Sequence, residues 1–275
     1  MPEVLGRLLA GPRWTSSGKT RCNVGIGGTL QGQVALVTGA SSGLGRATAI
    51  ALAGAGAHIA LVARSEPELE QVAAGLRSED VRVLGLAVDL VDARAVIGAA
   101  ERVISELGRV DLLVNSAATD VPGPVEHLTV EDWDRVLAVN LRAPFLLSKV
   151  VFSGMRQSGT GTIVNISSVA GRRGWANAAA YCASKFALTG FTQALNAEGK
   201  AHGVRACVIF PGAMATAWGT SSAARRESLE REPTAPTRAL PPEDVAALIV
   251  WIASAPPELV LNEVIATPLE EQGWP

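Results

Sequence analysis

A chain of 275 residues is long enough to bury one substantial core, and single α/β domains of this size are ordinary. Its formal charge of −2, with acids and bases interspersed, gives no basis for binding nucleic acid or an anionic membrane surface. Hydrophobic residues reach 48%. The stretch without formal charge between Arg46 and Arg64 is broken by Thr48, Gly54, Gly56 and His58 and falls short of the roughly 20 apolar residues that span a bilayer. No membrane span is expected, and the chain reads as soluble and cytoplasmic.

Residues 1–30 differ in character from the rest. Arg7, Arg13, Lys19 and Arg21 stand against Glu3 in a stretch rich in Gly, Ser and Thr, with no continuous apolar core of signal-peptide length. The run Ser16-Ser17-Gly18-Lys19-Thr20 has the ending of a phosphate-binding P-loop, but Arg13 stands where that motif needs a glycine, and no strand pattern precedes it. A flexible basic extension is the expectation, with a transit-like segment as the alternative. Of the three cysteines, Cys22, Cys182 and Cys207, none sits in a C-x-x-C pair, which argues against a disulfide framework or a structural zinc site. Cys207 reads as a small strand residue, and Cys182 as a structural residue on a different helix face from Tyr181.

From residue 31 to 275 the pattern is that of one domain. Apolar runs at Val34–Val37, His58–Ala63, Val81–Val88, Val110–Val114, Thr162–Ile166 and Val204–Phe210 alternate with helical patterns. The helices fall from the turn after Val37 to about Gly56, through Arg77, and near 92–107, 131–156 and 180–202. Continuous apolar strands between helices indicate a parallel sheet covered on both faces. The predicted fold is α/β: a single Rossmann-like, doubly wound domain with a mostly parallel sheet of about seven strands. The polar, proline-containing stretch from Trp218 to Pro242 reads as an excursion, not a second domain.

The first strand runs into Thr38-Gly39-Ala40-Ser41-Ser42-Gly43-Leu44-Gly45. Glycines at a strand-to-helix turn let backbone N–H groups and the helix dipole face a pyrophosphate with no Cβ in the way. After the second strand, Ala63 is neutral where a carboxylate would select NAD. Arg64 there offers a guanidinium suited to a 2′-phosphate, and Ser65 adds a hydroxyl. NADP(H) is therefore the favoured cofactor, with NAD(H) the alternative.

Farther along, Tyr181 is the chain's single tyrosine, and Lys185 lies four residues on, which puts both on one helix face. A nearby ammonium favours the phenolate and brings a tyrosine toward useful acid/base range. Ser168 lies just past the strand ending at Ile166, where ligands bind in such folds.

These motifs resemble those of the short-chain dehydrogenase/reductase family, over a span from the glycine turn to about residue 268. Thr38, Gly39, Gly43 and Gly45 match its T-G-x-x-x-G-x-G. The resemblance implies that Asp89, with Leu90 beside it, meets the adenine ring. Asn115-Ser116-Ala117-Ala118 corresponds to the N-N-A-G stretch at the adenine ribose, departing from it at Ser116 and Ala118. Ser42 stands where NADP-preferring members often carry a base. Ser168, Tyr181 and Lys185 match the family's Ser and Tyr-x-x-x-Lys set, and Asn140 resembles its fourth catalytic residue, which supports a water-linked proton path to the lysine. Pro211-Gly212-Ala213-Met214-Ala215-Thr216 resembles P-G-x-x-x-T, in which Thr216 would orient the nicotinamide.

The implied activity is reversible carbonyl/alcohol interconversion by hydride transfer, with Tyr181 moving the proton, Ser168 positioning the oxygen, and Lys185 tuning Tyr181 and binding the nicotinamide ribose. Two other readings stay open. One is an inactive dinucleotide-binding regulator or scaffold, and the other is epimerisation or dehydration through a transient keto form. A small alcohol or ketone is the expected partner, with Trp175, Met214 and Trp218 as candidate pocket walls favouring an apolar or ring-bearing substrate. The chain ends through Asn262-Glu263-Val264-Ile265 without the glycine-rich final turn common in relatives. A homodimer through the helices around 131–156 and 180–202 is expected before a homotetramer.

Overall fold

The structure, a computed structural model, describes residues 30–78, 80–216 and 239–271. The N-terminal extension, Cys22, Trp218 and most of the polar excursion lie outside the described residues. Seven strands form one sheet: β1 (Val34–Thr38), β2 (His58–Ala63), β3 (Val83–Ala87), β4 (Leu112–Asn115), β5 (Gly161–Ile166), β6 (Val204–Pro211) and β7 (Glu263–Ala266). Their order is β3-β2-β1-β4-β5-β6-β7, and every pairing is parallel. The chain reverses its winding between β1 and β4, which opens a crevice at the carboxyl ends of the strands.

The helices are α1 (Gly43–Gly54), α2 (Glu66–Leu76), α3 (Ala93–Leu107), α4 (Val130–Leu137), α5 (Ala143–Ser158), α6 (Ala179–Gly199) and α7 (Pro242–Ser254). Strand residues alternate between two cores. Ala35 and Val37 of β1 pack toward Leu52, Leu69 and Ile249 on one face. Val34 and Leu36 pack toward Val96, Val103 and Leu147 on the other. Both faces are dry, so the strands read as unbroken apolar runs and not as alternating ones. Full burial of a Leu or Ile stabilises by about 1.5–3 kcal/mol over exposure, and Leu36, Ile59, Leu113 and Ile163 are all fully buried.

Several predicted boundaries move. Val81 and Arg82 precede β3, and Val110 and Asp111 precede β4. Asp111 instead accepts the Val34 N–H at 2.9 Å and pairs with Arg109, so the register of β4 on β1 is fixed from a polar residue before the strand. The single helix expected near 131–156 is α4 and α5 joined through a π-helical turn, Ala138–Arg142. Val130–Ser158 is long and apolar enough by composition to cross a membrane, but Leu147, Val151 and Met155 face the α3-side core, as in the core helix of a globular domain.

Two helix starts carry side-chain caps. Asp92 accepts the N–H groups of Arg94 (2.8 Å) and Ala95 (3.1 Å) at α3, and Thr129 accepts that of Asp132 at α4. Such caps satisfy donors that a helix start leaves open. At the crevice, Ser42 of α1 and Ser65 of α2 occupy the same N-cap position and make no side-chain cap.

Candidate active site

The glycine turn is shaped by steric limits at close range. Gly39 has φ +68° and Gly43 φ +50°, the left-handed region that side-chain-bearing residues seldom adopt. A Cβ on Gly39 would lie 2.9 Å from Ala117 Cα, and one on Gly45 would overlap the Gly39 carbonyl. Thr38 Oγ1 accepts the N–H groups of Ser116 (3.0 Å) and Ala117 (3.1 Å), stitching the end of β1 to the residues after β4. The departures at Ser116 and Ala118 leave this seam intact, because Thr38 holds it through backbone donors.

The first turn of α1 carries no acid and no side-chain cap. Ser41 is half-buried, Ser42 exposed and Leu44 buried. Open N–H groups at a helix start, with glycines in place of side chains, suit an anionic pyrophosphate. The residues present therefore fit a dinucleotide.

Past the ends of β2 and β3 the surface is open. Arg64 is exposed and forms no ion pair among the described residues, and Ser65 is half-buried beside it. The first turn of α2 also carries Glu66 and Glu68. Asp89 is exposed and accepts the Val91 N–H at 3.0 Å. Leu90 belongs to the α3-side core, so its side chain is a packing residue. Asn115 is buried, and its amide donates to Asn165 Oδ1 at 2.8 Å. Asn165 donates in turn to Thr192 Oγ1 at 2.8 Å. This chain fastens β4 and β5 to α6.

The reacting end is built from side chains. Tyr181 and Lys185 are both on the buried face of α6, with the Lys185 ammonium 5.6 Å from the tyrosine ring centre. Lys185 is 2% exposed and donates to the Ile166 carbonyl at 2.8 Å. Burial pulls its pKa down to about 7, because a dry site disfavours the charged form. Ser168 begins the turn after β5. Its Oγ accepts the Ala170 N–H at 3.1 Å, which leaves its proton to donate.

Asn140 sits in the π-helical turn and is 1% exposed. Its side chain accepts the Thr119 N–H at 2.8 Å and donates to the Thr119 carbonyl at 2.9 Å and to Ser184 Oγ at 3.0 Å. Ser184 donates to the Tyr181 carbonyl at 2.7 Å. Asn140 thus ties the segment after β4 to α6, and π-turns of this kind recur at functional sites. Sequence reading missed Ser184 and Asn165. The signal was there in each: a small polar residue next to Lys185 on a buried helix face, and an asparagine at the strand position paired with Asn115.

Cys182, expected as a structural residue, is buried, as is Tyr181. Both pack with Ala170 and Ala178 in one small cluster. Burial pushes the Cys182 thiol up, with Asp120 adding to the effect, so it stays a neutral packing group. Trp175 is exposed, and Met214 packs against the α1-side core. Asn177 adopts φ 64°, and its carbonyl accepts the Gly123 N–H at 2.9 Å. That bond joins the two loops flanking the Tyr181 end.

Thr216, after β6, lies over the glycine turn; its Cβ and Cγ2 are 3.5 Å from where a Cβ on Gly43 would be. The crevice therefore runs from Asp89 and Arg64, across α1 and Asn115–Ala117, to Pro211–Thr216 and Tyr181. That is the layout of a doubly wound dinucleotide-dependent oxidoreductase. Comparison with known proteins narrows the class: residues 33–227 match the short chain dehydrogenase family, and the chain belongs to it. It is 41% identical over 228 residues to the D-threitol dehydrogenase of Mycolicibacterium smegmatis, covering 82% of this chain and 87% of the relative. It is 40% identical over 194 residues to the L-xylulose reductase of Mesocricetus auratus, covering 70% and 76%. A metagenomic short-chain oxidoreductase solved in complex with NADP superposes with a TM-score of 0.75 at 32% identity, covering 88% of this chain and 100% of that one. The protein is an oxidoreductase acting on alcohol or carbonyl groups, and nothing in these likenesses favours an inactive scaffold.

Proposed function

We propose that this enzyme reduces a small carbonyl compound reversibly with NADP(H) in preference to NAD(H), through Ser168, Tyr181, Lys185 and Asn140. One observation carries the reading: Tyr181 and Lys185 share the buried face of α6 while Lys185 reaches the Ile166 carbonyl, two residues before Ser168. Lys185 and Tyr181 are thereby tied to the strand end that leads into Ser168, at one end of a crevice whose other end suits a pyrophosphate.

The bound nicotinamide supplies the hydride chemistry. Tyr181 donates the proton to the substrate oxygen in reduction and removes it in oxidation. Ser168, its Oγ already accepting from Ala170, donates its own proton to that oxygen and holds it beside the phenol. Lys185 is fixed by Ile166, with donors left over for a cofactor ribose. Asn140 holds Thr119 and Ser184 in place, which fixes the α6 turn carrying Tyr181 relative to the segment after β4. The names of the relatives, a threitol dehydrogenase and a xylulose reductase, support a substrate with CH–OH and C=O groups. Arg64, exposed and free of ion pairs among the described residues, supports binding of a 2′-phosphate.

Exposed Phe145 on α5 and Phe186 on α6, at 43% and 46%, support a homodimer through those helices. Equilibrium binding of NADPH and NADH, followed through nicotinamide fluorescence and then by NADPH consumption over a carbonyl panel, tests the reading. Tighter NADPH binding is expected. Equal or tighter NADH binding removes the role of Arg64, and binding of neither removes the proposed function.

A further inference from the structure

We propose that Glu271 is a positioning residue: its carboxylate fixes the backbone of the Pro211–Thr216 loop that borders the nicotinamide end of the crevice. The inference rests on the reading of that loop as cofactor-binding, and it assigns a task to the C-terminal segment.

The loop is pinned on two sides. Toward α7, Ala215 donates to the Leu240 carbonyl at 2.8 Å, and Leu240 donates to the Ala213 carbonyl at 2.9 Å. Toward the C-terminal segment, Gly212 donates to the Ala266 carbonyl of β7 at 2.8 Å, and Ala213 donates to Glu271 Oε2 at 3.1 Å. Glu271 is brought back to the loop by a turn in which its own N–H meets the Pro268 carbonyl at 3.0 Å. Pro268 is buried in that turn and Leu269 is fully exposed.

Gly212 makes the approach possible. A Cβ at residue 212 would overlap the Glu271 carboxylate. A side chain at residue 212 would therefore push the Glu271 carboxylate aside from its place against the loop. An amide-to-carboxylate bond is charge-assisted and among the stronger ones available to a backbone. It acts three residues before Thr216, the side chain that lies over Gly43. Without it the Ala213 donor has no acceptor on that side, and the loop keeps only its Leu240 and Ala266 ties.

The full chain is compared with Glu271→Ala, Glu271→Gln and Gly212→Ala. Hydrogen exchange of the peptide spanning residues 210–217, measured without cofactor, reads the clamp alone. Faster exchange is expected in Glu271→Ala and Gly212→Ala, with protection retained in Glu271→Gln, whose amide oxygen still accepts. With cofactor, Glu271→Ala should raise the NADPH Kd and KM about tenfold while the carbonyl KM stays unchanged, and Glu271→Gln should restore both. Unchanged exchange in Glu271→Ala, or loss in Glu271→Gln equal to that in Glu271→Ala, overturns the inference. Altered exchange with an unaltered NADPH Kd overturns the loop's link to the cofactor while leaving the wild-type binding result to judge the proposed function itself. Should Glu271→Ala fail to fold, Gly212→Ala carries the same comparison.

Discussion

At the start of α1 the site is made of backbone: Gly39 at φ +68° against Ala117, Gly45 against the Gly39 carbonyl, and N–H groups without a cap. At the start of α6 it is made of side chains: Tyr181, Lys185 at 2% exposure, and Asn140 with three hydrogen bonds. In the first region a Cβ on Gly39 or Gly45 would run into backbone, whereas the second depends on the groups its side chains carry. Binding and chemistry are thereby separable, because the pyrophosphate end depends on space and the reacting end on named functional groups. A mutation at one end should leave a different signature from a mutation at the other.

The largest effect is expected at the reacting end. Tyr181→Phe removes one oxygen from a residue at 9% exposure and leaves the packing with Ala170 and Cys182. Loss of a general acid should lower kcat by about 10²–10⁴-fold, with NADPH affinity within a few-fold of wild type. Steady-state turnover beside equilibrium cofactor binding checks it. Near-full turnover would sink the assignment of Tyr181.

At the other end, Gly45→Ala should act on binding and folding together. Its Cβ meets a carbonyl that cannot rotate away, and overpacking of this kind costs about 1–3 kcal/mol. Gly98, within α3, has nothing within 4 Å of the same position. Gly98→Ala should instead stabilise, by about 0.5–1 kcal/mol. Denaturant unfolding of the two variants gives opposite signs if the glycine turn is limited by space. The same sign in both would break the comparison.

The sequence exposed the two regions unequally, for a physical reason. Glycine at a strand-to-helix turn has few structural excuses, so Thr38-Gly39 through Gly45 could be placed on the fold directly. Tyr181 and Lys185 were legible because helix periodicity turns a spacing of four into a shared face. The buried network was less so. Asn140 stood out by resemblance alone, since its π-turn and its grip on Thr119 depend on segments 21 residues apart in the chain. Glu263 and Glu271 gave no local pattern, because their partners are brought in by tertiary packing. Glu263 on β7, for instance, pairs with Arg172 at 2.5 Å and accepts from Gln193 at 2.8 Å, tying the loop after Ser168 to α6.

Arg64 sharpens the contrast within the cofactor end. It is exposed, so its attraction for a 2′-phosphate is screened by salt, and Glu66 and Glu68 nearby oppose it. Arg64→Ala should weaken NADPH by about tenfold, in line with a charged hydrogen bond, and leave NADH unchanged. The NADPH affinity of the wild type should fall with salt more steeply than that of the variant. Parallel titrations at two ionic strengths decide it.

The smallest effect is a slope and belongs to Lys185. Its pKa falls from an ordinary value of 10.5 to about 7 on folding because burial removes water from the ammonium. Between those values the unfolded chain binds a proton that the folded protein does not, so stability rises with pH across that window. Below about pH 7 both states are protonated, and the cost of burying the charge is present in full. The gain cannot exceed about 1.4 kcal/mol per pH unit, and the bond to the Ile166 carbonyl, which favours the ammonium, works against it. Lys185→Met has no such titration. The difference in unfolding free energy between wild type and variant, measured without cofactor at pH 7, 8 and 9, should therefore move in favour of the wild type as pH rises. A constant difference would mean that Lys185 keeps its proton in the folded protein. The reacting end would then hold a permanent cation beside Tyr181, and its chemistry would depend on charge as well as on the groups that donate and accept.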